Sequence, residues 1–188
     1  MSPSSTFAWP KSLISVASEK ALLSEHGDHG ISHWARVRHH GVALARIYGI
    51  NPWIPSLFGL FHDCRRVNEY VDPGHGPRAG ALVEEMASAG CLSEWLSSKE
   101  VGWLAEACEF HSDGLTQAAA AVQICWDADR LDLGRVGIRP MPGLLCTEAA
   151  QDPARIARAY AWSQGGVLGA ADRMGYALPA ARLRPSPG

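Results

Sequence analysis

The chain has 188 residues, with 17 Lys and Arg against 19 Asp and Glu, giving a formal net charge of −2. This length suits one compact domain with a buried core, and the charge lacks the basic character typical of nucleic-acid binding. No apolar stretch approaches the length needed to span a bilayer, and no secretory signal is evident at the N-terminus. Five cysteines without C-x-x-C or zinc-finger spacing favour a reducing, cytoplasmic setting.

Helical periodicity recurs along the chain, whereas alternating strand patterns are nearly absent. The pattern predicts helices over about 11–25, 32–48, 52–70, 75–88, 98–111 and 117–133, and one or two more over 148–173. Ser32 and Thr116 are the expected N-caps of two of them, and Gly49 is expected to end the second helix. We predict one all-α domain over 1–188 with a flexible tail over 179–188.

Six polar side chains extend the apolar faces of five predicted helices. They are His33, His62, Asp63, His75, His111 and Asp129. A single buried histidine is usually a satisfied core residue, but burying a carboxylate is costly unless it is paired or binds a metal. A shared metal explains several imidazoles and carboxylates directed into one core. Nitrogen and oxygen ligands suit Mn, Fe, Zn, Ni or Mg rather than a thiolate site.

The order of these residues resembles the HD superfamily of metal-dependent phosphohydrolases. His33 lies in SHWARV, and the adjacent pair His62-Asp63 lies in FHDCRR. Asp129 lies in CWDADRLDLGRVG. The resemblance implies an HD-domain helical bundle in which these four side chains hold one divalent cation. Asp127 is an alternative last ligand, although the helical stripe favours Asp129.

The resemblance covers roughly residues 26–137 and leaves open whether one or two cations bind. Some branches of the superfamily hold a second metal with two histidines between the His-Asp pair and the last Asp. His75 and His111 lie in that interval on core-facing stripes. His75 has two equal interpretations: it is a metal ligand, or it is only the N-terminal residue of a helix within a GHG turn. His111 is expected in the active site, as a ligand or as a phosphate or proton partner.

The activity implied by the resemblance is hydrolysis of a phosphoester of a nucleotide or another small phosphorylated molecule. Asp63, His111 and Arg66 are the expected catalytic residues. Arg66, Arg78 and Arg130 are the expected phosphate contacts, because guanidinium groups neutralise phosphoryl oxygens. For Arg66, an ordinary surface ion pair is an equal alternative. The sequence indicates no membrane or nucleic-acid partner and does not reveal an oligomeric state.

Residues after the His-Asp pair distinguish the chain from three HD types. Arg66 and Val67 stand where alarmone hydrolases carry Glu-Asp, and SDGLT after His111 lacks the Gly-Tyr-Pro of cyclic-di-GMP enzymes. HDCRR also differs from the HDxGH of larger dNTP triphosphohydrolases. With these three types excluded, the sequence favours a small stand-alone HD hydrolase. Two alternatives stay open: a di-iron HD-type oxygenase acting on a small molecule, and an HD domain that binds a nucleotide without catalysis.

Overall fold

The computed structural model describes residues 9–23 and 26–165. Over these ranges it is all-helical, as the periodicity predicts, and contains no strand. The helices are α1 Lys11–Lys20, α2 Ile31–Tyr48, α3 Trp53–Phe61, α4 His75–Ser88, α5 Ser98–Phe110, α6 Ala120–Leu131, α7 Glu148–Gln151 and α8 Pro153–Ser163, with 3₁₀ turns at Leu133–Val136 and Pro142–Leu144. None of the helices in these ranges has the length and apolar character of a membrane span.

The centre of the fold is α3, in which every residue from Ile54 to Phe61 is buried. Helix α2 packs on α3 and α6, while α5 packs on α3, α4 and α6. A hydrogen bond of 3.1 Å from Trp126 Nε1 to the carbonyl of Ala107 joins α6 to α5. The helices that carry the polar residues of the apolar faces therefore converge around α3.

Helix α3 ends at Phe61, so the prediction that this helix continues to Tyr70 is wrong. Beyond the His-Asp pair, side chains replace the helical hydrogen bonds. Asp72 Oδ2 accepts from the backbone N–H of Val67 at 2.8 Å, and the Arg66 guanidinium donates to the carbonyl of Tyr70 at 3.0 Å. Such side-chain to backbone bonds compete with a helix and fold this segment into a loop.

One other predicted boundary differs for a similar reason, and the prediction of one or two helices after residue 148 agrees with the structure over the described residues. Helix α1 ends at Lys20 rather than at residue 25, and Arg65 Nη1 donates to the Lys20 carbonyl at 3.0 Å. The region 148–163 forms two helices because Asp152 and Pro153 begin α8 as N-cap and first residue. The rest of the predicted helix to 173, and the predicted flexible tail over 179–188, lie outside the described residues.

The predicted caps are only partly correct. Gly49 ends α2 in the left-handed conformation, with φ of 64°, as predicted. Gly30 rather than Ser32 is the N-cap of α2, and Ala119 rather than Thr116 precedes α6. The sequence pattern therefore located these helices better than it located their first residues.

Gly59 permits the close approach of α3 to α2. A Cβ atom at this position would lie 2.8 Å from the carbonyl oxygen of Trp34 and 2.9 Å from the backbone nitrogen of Arg38. Both atoms belong to the backbone of α2, so they cannot rotate away. Gly59→Ala should therefore lower the free energy of unfolding by about 1–3 kcal/mol, the usual cost of overpacking, measured by urea denaturation.

The matched control is Gly102→Ala in α5, where a Cβ atom would meet no other atom within 4 Å. This change should stabilise the protein by up to about 1 kcal/mol, because Ala favours a helix more than Gly. Equal effects of the two substitutions would contradict the close α2–α3 contact.

Candidate metal centre

Two adjoining clusters of ligand-type side chains lie where α2 to α6 meet. In each cluster, three donor atoms lie within 4.8 Å of one another. We call them the first and second clusters. The first consists of His33, His62 and Asp129, and the second of Asp63, His75 and His111. The structure thus brings together all six residues that the apolar stripes singled out.

The first cluster is compact. The Nε2 atoms of His33 and His62 lie 3.0 Å apart. Asp129 Oδ1 lies 3.4 Å from Nε2 of His33 and 3.8 Å from Nε2 of His62. The two imidazoles are buried, and the Asp129 side chain is 13% exposed. Only this carboxylate among the three reaches solvent.

Asp63 connects the two clusters. Its Oδ1 atom lies 3.4 Å from His75 Nε2 and 3.5 Å from His111 Nε2, and these two Nε2 atoms lie 2.8 Å apart. Its Oδ2 atom lies 3.4 Å from His33 Nε2 and 3.5 Å from His62 Nε2. One carboxylate therefore offers one oxygen to each pair of imidazoles.

Hydrogen bonds at Nδ1 fix the tautomers of the histidines. His62 Nδ1 lies 3.0 Å from the carbonyl oxygen of Phe58, and His75 and His111 make the same kind of bond to the carbonyls three residues earlier. A carbonyl oxygen only accepts, so each Nδ1 must carry the proton. In the neutral ring, Nε2 then keeps its lone pair and is free to bind a metal.

His33 Nδ1 bonds the Asp132 carboxylate in the same way, so the neutral rings of His33 and His62 place lone pair against lone pair at 3.0 Å. Such an approach is repulsive unless a positive charge lies between the nitrogens. The Nε2 atoms of His75 and His111 lie 2.8 Å apart, and the Arg66 guanidinium lies 3.1 Å from His75 Nε2 on one side of this pair.

In addition, Asp63 Oδ1 and Asp129 Oδ1 are buried and accept no hydrogen bond from the described residues. Buried carboxylate oxygens are costly without hydrogen-bond partners, and the nearest guanidinium nitrogens, of Arg66 and Arg135, lie 3.5 and 3.8 Å away. A cation in each cluster would satisfy both features, so the donors fit divalent metals of the kind the sequence predicts.

The local electrostatics keep three of the donors, Asp63, His62 and His75, in the protonation states that bind metals. Burial raises the pKa of Asp63, but His62, His111 and His33 outweigh it and hold this pKa well below its usual value. Burial lowers the pKa of His62 to about 3, against the attraction of Asp63. Burial and His111 also lower the pKa of His75. The carboxylate is therefore charged and these two imidazoles are neutral.

His111 and Asp129 are also shifted. Burial alone would lower the pKa of His111, but its contact with the Asp63 carboxylate raises this pKa. Burial alone would raise the pKa of Asp129, but the charge of Arg135 and the nearby imidazoles lower it. Both shifts arise from the high density of opposite charges in a site withdrawn from water.

Asp132 and Arg36 orient His33, a role that the sequence reasoning missed. Asp132 Oδ2 lies 2.7 Å from His33 Nδ1, and Arg36 donates to both carboxylate oxygens at 2.6 and 3.0 Å. Burial opposes ionisation of Asp132, but these two partners lower its pKa to about 2. Its place three residues after Asp129, on the same helical face, was the available signal.

Asp127, the alternative last ligand, lies outside both clusters. Its carboxylate accepts from the backbone N–H of Cys146 at 2.6 Å. It also accepts from the N–H and hydroxyl of Thr147 at 2.8 and 2.6 Å. Asp127 therefore holds the segment before α7 against α6, and of the two candidates it is Asp129 that faces the histidines.

A cavity of about 300 Å³ opens onto the two clusters. Its walls include Asp63, Arg66, His111, Asp129, Arg130 and Arg135. We call it the metal-side cavity. Its size is within the range of small-molecule sites, and its lining combines three arginines with two carboxylates and the His111 imidazole.

The three predicted phosphate contacts differ in position. Arg66 lines the metal-side cavity, with Nη1 3.5 Å from Asp63 Oδ1. Arg130 lines it as well, but its Nη1 and Nη2 donate to the carbonyls of residues 144 and 115. Arg78 is bound to Asp72 and lines a separate cavity, so the structure does not bring it to the clusters. Arg135, which the sequence reasoning missed, lies 3.8 Å from Asp129.

Comparisons with known proteins agree with this fold. A solved structure of a predicted HD superfamily hydrolase from an uncultured Thermotogales bacterium matches with a TM-score of 0.60 and 22% sequence identity. The match covers 81% of this chain and 85% of that one. No protein-family model and no curated protein matches the chain. The helical fold that the sequence resemblance implies is therefore confirmed.

The geometry predicts two Mn²⁺ ions per chain. His33→Ala and His75→Ala, which each remove a donor from one cluster only, should each leave one tight site. Asp63→Ala should weaken both sites, because its two oxygens face different clusters. Isothermal titration calorimetry on metal-stripped protein measures these stoichiometries.

The control for this titration is His26→Ala, because His26 is exposed and belongs to neither cluster. It should bind metal as the wild type does. A wild type that binds a single ion, undisturbed by His75→Ala, would contradict the second cluster.

Asp132→Asn tests the orientation of His33. The amide keeps the shape of the side chain but loses the charge that fixes the imidazole and the Arg36 guanidinium. Manganese affinity at the first cluster should fall about 10- to 100-fold, as is usual when such supporting partners are removed. Affinity at the second cluster should stay the same, and an equal loss at both would contradict a local role.

Proposed function

We propose that this chain is a metal-dependent phosphohydrolase of the HD superfamily that cleaves a small phosphoester. The observation that carries the proposal is the Asp63 carboxylate, which lies between two pairs of imidazoles on the floor of a cavity walled by arginines. The donors favour divalent metals, and the guanidinium groups favour an anionic substrate such as a phosphate. Neither feature alone would indicate this reaction.

His33, His62, Asp63 and Asp129 would hold one cation, and Asp63 would share a second with His75 and His111. Divalent cations in such sites lower the pKa of water and polarise a phosphoryl oxygen. Asp63 supplies a carboxylate that stays charged over the neutral range, since its pKa is held well below the usual value. The Nδ1 hydrogen bonds hold the imidazoles rigid, so the donors need no rearrangement when a substrate arrives.

Arg66 and Arg135 contribute positive charge at the cavity wall. Arg66 is anchored through Nε and Nη2 to the carbonyls of Asn68 and Tyr70. Its Nη1 atom faces the clusters, 3.1 Å from His75 Nε2. A guanidinium fixed in this way is placed to contact phosphoryl oxygens and to offset the charge that develops on them during transfer.

A di-iron oxygenase is a second candidate, because four imidazoles and two carboxylates in adjoining clusters also suit two irons. The arginines around the cavity favour the hydrolase.

The two activities differ in what they consume, since an oxygenase takes up dioxygen with its substrate. Metal analysis of aerobically purified protein, with an oxygen electrode and a phosphate-release screen, distinguishes them. Manganese-stimulated phosphate release supports the hydrolase, whereas iron with oxygen uptake and no phosphate release rejects it.

Arg66→Gln should lower kcat/KM for phosphate release about 10- to 100-fold, because a charge-assisted contact to the reacting phosphoryl group is lost. The matched control is Arg65→Gln. The neighbouring guanidinium donates to the Lys20 carbonyl in α1 and lines a different cavity. Arg65→Gln should keep kcat/KM within about twofold, as expected away from the reaction centre. Equal losses in the two variants would contradict the role of Arg66.

A further inference from the structure

A second, smaller cavity of about 150 Å³ adjoins the metal-side cavity. The two share Gly114, Arg130 and Leu133 as wall residues. The other walls of the smaller cavity come from the segment after α6: Ile138, Arg139, Pro140, Met141, Leu144 and Leu145. We call it the apolar subsite. The two cavities therefore lie side by side.

The apolar subsite is hydrophobic although two arginines line it. Arg130 directs Nη1 to the carbonyl of Leu144 at 2.9 Å and Nη2 to that of Leu115 at 2.6 Å. The Arg139 guanidinium lies over the ring of Tyr160, 5.6 Å from its centroid. Both cations are thus turned to protein partners, and the arginines offer the cavity mainly their aliphatic stems.

Several wall residues of the apolar subsite are exposed hydrophobics. The exposed fractions of Ile138, Met141 and Leu144 are 54%, 63% and 54%. Single exposed apolar residues are ordinary, but a contiguous group that walls a concave site beside a reaction centre is typical of ligand binding. A ligand that covers these side chains would gain free energy from the apolar surface it removes from water.

We propose that the substrate carries an uncharged, apolar group about the size of one six-membered ring, which enters the apolar subsite while its phosphate lies in the metal-side cavity. The size follows from the volume, since about 150 Å³ is the space that one benzene ring occupies in a protein. This inference rests on the proposed function and narrows its substrate to aryl or branched-alkyl phosphoesters. Sugar phosphates and nucleoside triphosphates would leave polar or charged groups against apolar walls, which is costly.

Binding of phosphonates tests the proposal without turnover. Phenylphosphonate and methylphosphonate present similar anionic groups and differ in the ring. Calorimetric titration of the manganese-loaded protein should show phenylphosphonate binding about tenfold tighter, the effect of burying a ring-sized apolar surface after the costs of binding. Equal affinities would overturn the inference.

Two substitutions test whether the preference for phenylphosphonate over methylphosphonate arises in the apolar subsite. Met141→Gln and Leu144→Asn place polar groups on the apolar wall, and each should reduce the phenyl preference several-fold while leaving methylphosphonate affinity unchanged. The control is Val136→Asn, because Val136 is 41% exposed in the neighbouring 3₁₀ turn and lines neither cavity. A preference that survives both wall variants, or that the control removes equally, would also overturn the inference.

Hydrolysis of phenyl phosphate and O-phosphoethanolamine separates the two proposals. Faster release of phosphate from phenyl phosphate, lost in Met141→Gln, supports both. A phenylphosphonate preference with no phosphate release from any phosphoester supports the apolar subsite and rejects the hydrolase. Phosphate release at equal kcat/KM from both esters supports the hydrolase and rejects the apolar subsite.

Discussion

The structure depends on one buried carboxylate. Asp63 lies between two pairs of imidazoles whose Nε2 atoms carry lone pairs, and each of its oxygens faces one pair. The fold withdraws these groups from water, so their mutual interactions are strong and an unmatched charge would be expensive. Divalent cations would match the lone pairs and the carboxylate charge together. The same interaction thus links the stability of the core to the proposed chemistry.

The helices serve this arrangement in distinct ways. Helix α3 is buried throughout and delivers the His-Asp pair into the core, while Gly59 lets α2 approach closely enough for His33 to reach His62. Asp132 and Arg36 then hold His33 from the opposite side. The loop after α3 provides Arg66 at the cavity wall and, through the Asp72 carbonyl, the partner of His75. Rigid helices position the donors, and the loops shape the cavity above them.

The apolar stripes made the helices and six clustered residues predictable, because a polar residue that extends an apolar face must point into the core. Asp132 and Arg135 were not found, because the sequence can place a residue near a helix end on a helical face but does not assign it a partner. Arg78 was misplaced because its charge is used by Asp72 within the loop. The end of α3 was also missed, because side-chain to backbone hydrogen bonds of the loop decide it. The local sequence pattern predicts which faces of the helices are buried. Tertiary hydrogen bonds decide where the helices end and which side chains pair.

In the proposed site, Asp63 joins two metal positions. Crystals of the manganese-loaded protein allow a test of this arrangement by anomalous diffraction at the manganese edge. Two peaks are expected, one against His33, His62 and Asp129 and one against His75 and His111, with one oxygen of Asp63 directed to each. A single peak, with His75 and His111 contacting only each other or an anion, would contradict it.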